Sequence, residues 1–156
     1  MGEPNESAQE QPNDGYFTED YLLFLLAQAS DKASRAFHKE LQKDGISVPT
    51  WRILASLYPN GVLTVGVLAE KCLLKQPTIT RVLDRLENSN LVHRIISPKD
   101  RRSVLIELTE AGRTLAGEKI ILATDHENRL LANYSDQKIA DIKQDLKTLA
   151  ERLDSS

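Results

Sequence analysis

The stretch from Leu73 to Leu108 constrains the fold more than any other part of the chain, because its pattern predicts an amphipathic helix followed at once by a β-hairpin. The helix is predicted to begin at Pro77, whose missing N–H does no harm in a first turn, and to end at the polar run 88–90. Its apolar residues fall at i, i+3, i+4 and i+7 and form one stripe to be buried: Ile79, Val82, Leu83 and Leu86.

A shorter helix is predicted directly upstream. Thr64 precedes the run VGVLAEKCLL, whose apolar residues share one face: Val65, Leu68, Ala69 and Cys72. Two short helices joined by a tight turn have helix-turn-helix geometry, in which the first helix braces and the second enters the major groove of DNA. Short helical hairpins are also common in all-α cores, so this pattern alone does not decide the function.

A hairpin with a charged tip is predicted next. Two runs rich in β-branched residues and leucine, 91–96 and 103–108, flank the polar segment SPKDRR. Such a hairpin is either a DNA-binding wing or a cap on the core whose tip is merely solvated. The shape of the whole segment favours the wing.

Local charge supports the same choice. Between residues 71 and 102, eight Lys and Arg stand against three Asp and Glu, so the segment carries +5, whereas the whole chain carries −3 and the remainder therefore −8. A basic segment on an otherwise acidic protein indicates a surface for nucleic acid. The acidic remainder is expected to face away from it.

Length and composition limit the other functional classes. The chain has 156 residues, 40% hydrophobic and 28% charged, which is typical of one soluble globular domain. No apolar run approaches the ~20 residues that span a bilayer and no secretion signal is visible, so a cytoplasmic protein is expected. The single cysteine excludes an internal disulfide, and the histidines at 38, 93 and 126 lack metal-ligand spacing. Nucleotide-binding and nucleophile motifs are also absent, so we predict no enzyme, metal or cofactor.

Helices are predicted on both sides of this unit. Residues 1–16 are expected to form a disordered tail, and residues 17–156 a single domain with a winged helix-turn-helix core at 47–108. Helical spacing predicts one long helix over 18–43 and two more over 109–153, capped by Thr109 and Ser135, with Gly112 only weakening an early turn. The fold class is therefore mainly α with a small β-hairpin wing (α+β): a winged helix-turn-helix with N- and C-terminal dimerisation helices.

The last helix carries a heptad-like stripe made of Ile139, Ile142, Leu146, Leu149 and Leu153. It either packs on its own core or forms a homodimer interface. Because a compact winged unit cannot cover every flanking apolar face, we expect the dimer. A twofold axis would present two recognition helices to major grooves about 34 Å apart, so the preferred operator should be an inverted repeat.

The string LAEKCLLKQPTITRVLDRLENSNLVHRIISPKDRRSVLIELTEAGRTL resembles the winged helix-turn-helix of the multiple-antibiotic-resistance regulator (MarR) family, and the order of flanking helices is similar over residues 18–153. Asp100 followed by Arg102, then an alternating strand and the run 108–112, is the most specific part. The resemblance implies a homodimeric, sequence-specific DNA-binding transcription regulator, usually a repressor, released from its operator by a small ligand or by oxidation.

The resemblance also assigns DNA contacts. Arg102 would reach into the minor groove while Asp100 orients it, Lys99 and Arg101 would meet phosphates, and side chains of the second helix would lie in the major groove. The predicted DNA-binding set is Lys75, Gln76, Pro77, Thr78, Thr80, Arg81, Arg85, Lys99, Asp100, Arg101 and Arg102. Many family members have Gly where this chain has Asn90, a residue that tolerates the left-handed conformation, so the turn is expected to survive.

An effector pocket is the weaker part of the prediction. In such regulators the ligand, often an aromatic acid or a phenolic compound, lies between the dimer helices and the winged unit. An aromatic pocket with a cation would suit an aromatic carboxylate, and the candidates by position are Tyr21, Phe24, His38, Trp51 and Arg52. The alternative is that the aromatic residues simply fill core and that His38 is solvated.

Two other functions stay open. A helical dimeric protein-interaction module without DNA binding would have no need for Arg81, Lys99, Arg101 and Arg102. A cysteine-based redox-responsive regulator would need an accessible and reactive Cys72, whereas the family's peroxide sensors use a cysteine in the N-terminal helix. We expect Cys72 to be a buried packing residue.

Overall fold

The computed structural model describes residues 17–154, and the predicted disordered tail at 1–16 lies outside them. The described chain falls into two compact units, one up to Ala36 and one from Phe37 onwards. In the first unit, α1 (Phe17–Asp20) leads into the start of α2 (Leu22–Lys43), and the rings of Phe17 and Tyr21 stack with centroids 4.7 Å apart. The apolar side chains at 21–25 are exposed.

The second unit contains the end of α2 and the remaining elements. In chain order these are α3 (Val48–Asn60), β1 (Val62–Thr64), α4 (Val65–Lys71), α5 (Gln76–Asn88), β2 (Val92–Ile96), β3 (Val104–Leu108), α6 (Glu110–Leu130) and α7 (Asp136–Asp154). The predicted fold class, mainly α with a small wing, is confirmed. No helix in residues 17–154 is long and apolar enough to cross a membrane.

The wing is part of a three-stranded antiparallel sheet in the order β1-β3-β2. The predicted hairpin pairs Val92 with Leu108 and Ile96 with Val104. Strand β1 was not predicted, because three residues between a turn and a helix cap are too few to show a period. It pairs along the other edge of β3 and anchors the base of the wing.

One core holds the helix-turn-helix to the sheet. The four apolar residues of α5 are all buried, as predicted, and pack with α3, α4, the sheet and α6 around Leu54, Leu68 and Ile106. A second cluster of Phe37, Leu41 and Ile46 joins the end of α2 to Trp51 and Leu122. The inner faces of α4 and α5 are therefore held by the core, and their outer faces remain exposed.

The caps predicted at Thr109 and Ser135 are present, and the Ser135 hydroxyl accepts from the Lys138 backbone N–H at 3.3 Å. The hydroxyls of Ser47, Thr64 and Thr109 each accept a hydrogen bond from a backbone N–H in the first turn of the helix that follows. Asn90 has φ 56°, so the asparagine does adopt the left-handed conformation that ends α5. Gly112, however, does more than weaken a turn. A methyl group there would overlap the backbone of Leu91, so the prediction that this glycine is only tolerated was wrong.

Candidate nucleic-acid interface

The outer face of α5 is a polar surface on a rigid support. Because Ile79, Val82, Leu83 and Leu86 are anchored in the core, the remaining positions of this helix point outwards. The side chains of Pro77, Thr78, Thr80, Arg81 and Arg85 are all exposed. The first half of α5 thus combines the hydroxyl groups of Thr78 and Thr80 with the Arg81 guanidinium, which can form a bidentate pair.

The start of α5 has unused hydrogen-bonding capacity. Lys75 occupies the N-cap position but makes no side-chain cap hydrogen bond. The Thr80 hydroxyl donates to the carbonyl oxygen of Gln76 at 3.0 Å, which leaves its lone pairs free to accept. Pro77 has no N–H, and the Thr78 N–H donates to the Lys75 carbonyl oxygen at 2.9 Å, so the charge of Lys75 is what attracts phosphate oxygens here.

The wing tip, residues 97–103, is a tied turn. The half of it nearest β2 is held by the buried Ser97, whose hydroxyl accepts from the N–H groups of Lys99 at 3.3 Å and Asp100 at 3.4 Å. The Asp100 carboxylate accepts from the Arg102 backbone N–H at 3.0 Å and from the Ser103 hydroxyl at 2.8 Å. Ser97 and Ser103 were not among the predicted site residues, although Ser and Asp spaced this closely are a turn signal.

These hydrogen bonds act on the electrostatics of the tip. The Arg102 backbone N–H, and next the Ser103 hydroxyl, lower the pKa of the Asp100 carboxyl below its ordinary value. The ionised carboxylate therefore favours the folded turn above the ordinary carboxyl pKa, and this contribution is lost as the pH falls through the lowered one. Asp100 orients Arg102 through its backbone, so the guanidinium stays exposed beside Lys99 and Arg101.

One cation of the basic segment is already paired within the protein. The Arg94 guanidinium donates to the Asp84 carboxylate at 2.6 Å and to the Glu87 carboxylate at 2.7 Å. The charge count over 71–102 could not distinguish it from the others. Within residues 17–154, by contrast, no ion pair involves Arg81, Arg85, Lys99, Arg101 or Arg102.

The predicted DNA-binding residues therefore form two exposed groups in one compact unit, the first half of α5 with Lys75, and the wing tip. Both are fixed to the same core through α5 and the sheet. A cleft of about 340 Å³ lies at the base of the wing, lined by Arg102, Ser103 and Val104 and by the start of α4. No contact with DNA is observed, so the role of each residue remains a prediction.

The predicted effector residues are only partly brought together. Tyr21 and Phe24 belong to the first unit, whereas His38, Trp51 and Arg52 belong to the second. Trp51 packs edge-on against Phe37 at 5.3 Å between ring centroids and lines a groove of about 270 Å³ between α3 and α6. Arg52 donates to the Cys72 carbonyl oxygen at 3.3 Å. A larger cavity of about 500 Å³ between α6 and α7, lined in part by Tyr134 and Lys143, was not predicted.

Two side chains bear on the other functional readings. Cys72 is 1% exposed, and burial raises the pKa of its thiol, so the reactive thiolate is disfavoured. This confirms the expected packing role. His126 is half-buried and stacks on Phe37 with ring centroids 5.7 Å apart.

Known proteins resemble this chain in sequence and in fold. The MarR family model matches residues 46–104. The organic hydroperoxide resistance transcriptional regulator of Bacillus subtilis is 35% identical over 137 residues, which cover 86% of this chain and 90% of that protein. A MarR family transcriptional regulator of Silicibacter pomeroyi DSS-3 superposes with a TM-score of 0.78 at 38% identity, covering 88% of this chain and 98% of that one. A mutant MarR of E. coli complexed with operator DNA shares the fold, with a TM-score of 0.72 at 24% identity and coverage of 87% and 98%.

Proposed function

Because this chain belongs to the MarR family of transcription regulators, a non-enzymatic family with a DNA-binding winged helix, we propose that it is a homodimeric repressor that binds a palindromic operator and leaves it when a small ligand binds. The observation that carries the proposal is the pair of exposed cationic groups, on α5 and on the wing tip, held by one core. A regulator of transcription acts on the chromosome, so its place in a bacterial cell is the cytoplasm.

In this proposal the first half of α5 lies in the major groove. Thr78, Thr80 and Arg81 face base edges, where an arginine bonds a guanine in bidentate fashion and hydroxyls adapt to either partner. Lys75, Gln76, Pro77 and Arg85 lie at the margins, where the charges of Lys75 and Arg85 favour phosphates. Base contacts provide the choice of sequence, and phosphate contacts provide affinity that falls with salt.

The wing tip takes the neighbouring minor groove. Arg102 enters it, because a guanidinium suits a narrow and electronegative groove. Asp100 holds the backbone from which Arg102 projects, while Lys99 and Arg101 meet phosphates on either side. The tied turn supports this role, since a loop that is already ordered loses little conformational entropy on binding.

Exposed apolar side chains support the homodimer. On α7 the stripe residues Ile142, Leu146 and Leu153 are 36%, 44% and 65% exposed, and α1 and the start of α2 expose Phe17, Tyr21, Leu22, Leu23, Phe24 and Leu25. Surfaces of this kind mark association sites. A second copy is the natural occupant, because a twofold dimer places two copies of α5 about one helical turn of DNA apart.

The effector site is the finer part of the proposal. We place an aromatic acid or phenolic compound near Trp51, with His38 and Arg52 as polar partners. The groove beside Trp51 supports an aromatic ligand. Release by oxidation of Cys72 has less support, because a buried thiol with a raised pKa reacts slowly.

The experiment is retention of genomic fragments that flank the protein's own gene, measured with purified protein at two salt concentrations in the presence of competitor DNA. We expect tight, competitor-resistant binding of one fragment. Arg102→Ala should weaken that binding strongly while the protein stays folded and dimeric.

Two outcomes would contradict the proposal. Weak, salt-sensitive binding to every fragment would favour a protein-interaction module that has lost sequence-specific DNA binding. Unchanged affinity of the Arg102→Ala protein for the retained fragment would remove the wing tip from the mechanism. Candidate aromatic acids are then screened by their ability to release the fragment, with Trp51→Leu as the variant expected to lose the response.

A further inference from the structure

Arg94 bridges the wing and the recognition helix, which is helix α5. It lies on β2, and its two terminal nitrogens reach two acidic residues on successive turns of that helix, Asp84 at 2.6 Å and Glu87 at 2.7 Å. In the sheet it stands opposite the buried Ile106, on the face that packs against the core. The planar fork of a guanidinium can serve both carboxylates at once, which a lysine ammonium on a single stem does poorly.

The bridge links the two groups of predicted DNA contacts. Towards the tip, β2 continues for two residues, Ile95 and Ile96, before the turn that carries Arg102. Towards the N-terminus of α5, Arg81 lies three residues, or about one turn, before Asp84. Besides this bridge, the wing is attached to α5 through the buried Val92 at the base of β2. Arg94 is therefore the polar attachment nearest to both DNA-contact groups.

We propose that Arg94 is a positioning residue: it holds the wing at a fixed angle to α5, so that Arg102 and the α5 side chains engage one DNA molecule together, and it does not bind DNA itself. The inference rests on the proposed function. Two contact groups held in the correct relative geometry bind with a high effective concentration, whereas a wing free to swing must be ordered on each encounter.

The charges point the same way. Asp84 and Glu87 place two negative charges on a helix that is expected to approach phosphates, and such charges repel DNA. Their side chains are 52% and 39% exposed, and that of Arg94 is 31% exposed, so the pairs are partly solvated. Pairs of this kind contribute little to overall stability. Loss of the bridge should therefore affect the geometry of binding more than folding.

The first test is the salt dependence of operator binding. Arg94→Ala should lower affinity for the retained fragment about tenfold, because the wing must then be ordered on binding, while the slope of log K against log salt stays unchanged. Arg101→Ala, which removes an expected phosphate contact, should reduce that slope by about 0.9. Arg94→Lys should recover only part of the loss. A slope reduced by about one unit in Arg94→Ala, with full recovery in Arg94→Lys, would make Arg94 a phosphate ligand and overturn the inference.

The second test removes the acids and separates the two explanations by sign. If Asp84 and Glu87 only repel DNA, Asp84→Asn with Glu87→Gln should tighten binding. If they hold Arg94, the ratio of specific to non-specific affinity should fall about tenfold in the double variant, because the released arginine then binds any phosphate. Tighter binding with an unchanged ratio would overturn the inference.

Controls keep the result interpretable. Glu70→Gln removes one exposed acid from α4 without touching the wing, and His93→Ala truncates the next residue of β2 on the opposite face. Both should bind as the unmodified protein does. Thermal unfolding of each variant shows whether the fold persists. If the unmodified protein retains no fragment, the proposed function fails and this inference with it; if it does and the Arg94 variants bind equally well, only the inference fails.

Discussion

Helices α5 and α7 both carry an apolar stripe at helical spacing, but the stripe is buried in α5 and largely exposed in α7. In α5 the four stripe residues are all buried against α3, α4, the sheet and α6. In α7 the stripe residues Ile142, Leu146 and Leu153 remain exposed. An apolar stripe thus indicates that one face of a helix is to be buried, but it does not indicate whether the same chain or another molecule buries it. Here the α5 stripe is covered by the same chain, whereas three residues of the α7 stripe are not.

The largest effect is expected from substitutions in the α7 stripe. Leu146→Asp together with Leu149→Asp should abolish the dimer, because four carboxylates per dimer would enter an apolar seam, and each costs more than the roughly 1–3 kcal/mol of an unpaired neutral polar group. Sedimentation measures the oligomeric state. Gln137→Asp with Gln144→Asp adds the same charge at exposed polar positions of α7 and should leave the dimer intact. A double leucine variant that still sediments as a dimer would assign the stripe to the protomer's own core.

The matching change in α5 should act inside the protomer. Leu83 is 1% exposed, so Leu83→Ala should lower the free energy of unfolding by about 2–5 kcal/mol. Denaturant titration at several protein concentrations should give the same loss at each. For Leu146→Ala the loss should disappear at concentrations low enough to separate protomers. Equal, concentration-independent losses for both would erase the distinction between the two helices.

The closed packing around α5 can also be tested through a glycine. Gly112→Ala should lower the free energy of unfolding by about 1–3 kcal/mol, because the new methyl group overlaps the Leu91 backbone. Gly66→Ala is the control: nothing lies within 4 Å of the added carbon, so this helical position should gain about 0.5–1 kcal/mol. Thermal or denaturant unfolding compares the two. Stabilisation by both would mean that α6 moves away from Leu91 at little cost.

The smallest expected effect concerns a strained residue before α5. Leu73 has φ 54° and is 81% exposed, which costs a leucine both conformational and solvation energy. Leu73→Asn should raise the free energy of unfolding by about 0.5–1 kcal/mol, and Asn90→Leu, the reverse change at φ 56°, should lower it by a similar amount. If Leu73→Asn destabilises the protein, the exposed leucine side chain makes a stabilising contact outside the protomer.

Sequence reasoning succeeded where a pattern and a local chemical rule agreed. The α5 stripe, the hairpin and the caps at Thr109 and Ser135 follow from period and hydrogen-bonding chemistry within a few residues. It failed where the decisive partner is distant in sequence. Strand β1 exists because β3 offers a free edge, and Gly112 is required because Leu91 passes close by.

The candidate site shows the same division. The exposure of the α5 and wing-tip residues follows from their place opposite a buried stripe or in a polar turn. That Arg94 is paired could not be counted from composition, since its partners lie seven and ten residues away in another element. The effector set stays a prediction, because a pocket depends on how several elements meet, which no local period encodes.

The fastening at the start of α6 has a mechanical consequence. The Thr109 hydroxyl donates to the Asn90 carbonyl oxygen at 2.7 Å and accepts from the Gly112 N–H at 2.9 Å, so the end of α5 and the first turn of α6 move as one piece. Helix α6 has 21 residues and is about 30 Å long. Tilting such a lever by about 10° displaces its far end by about 5 Å. A small displacement near Leu130 would therefore change the orientation of α5. The fit of a helix in a DNA groove depends on that orientation.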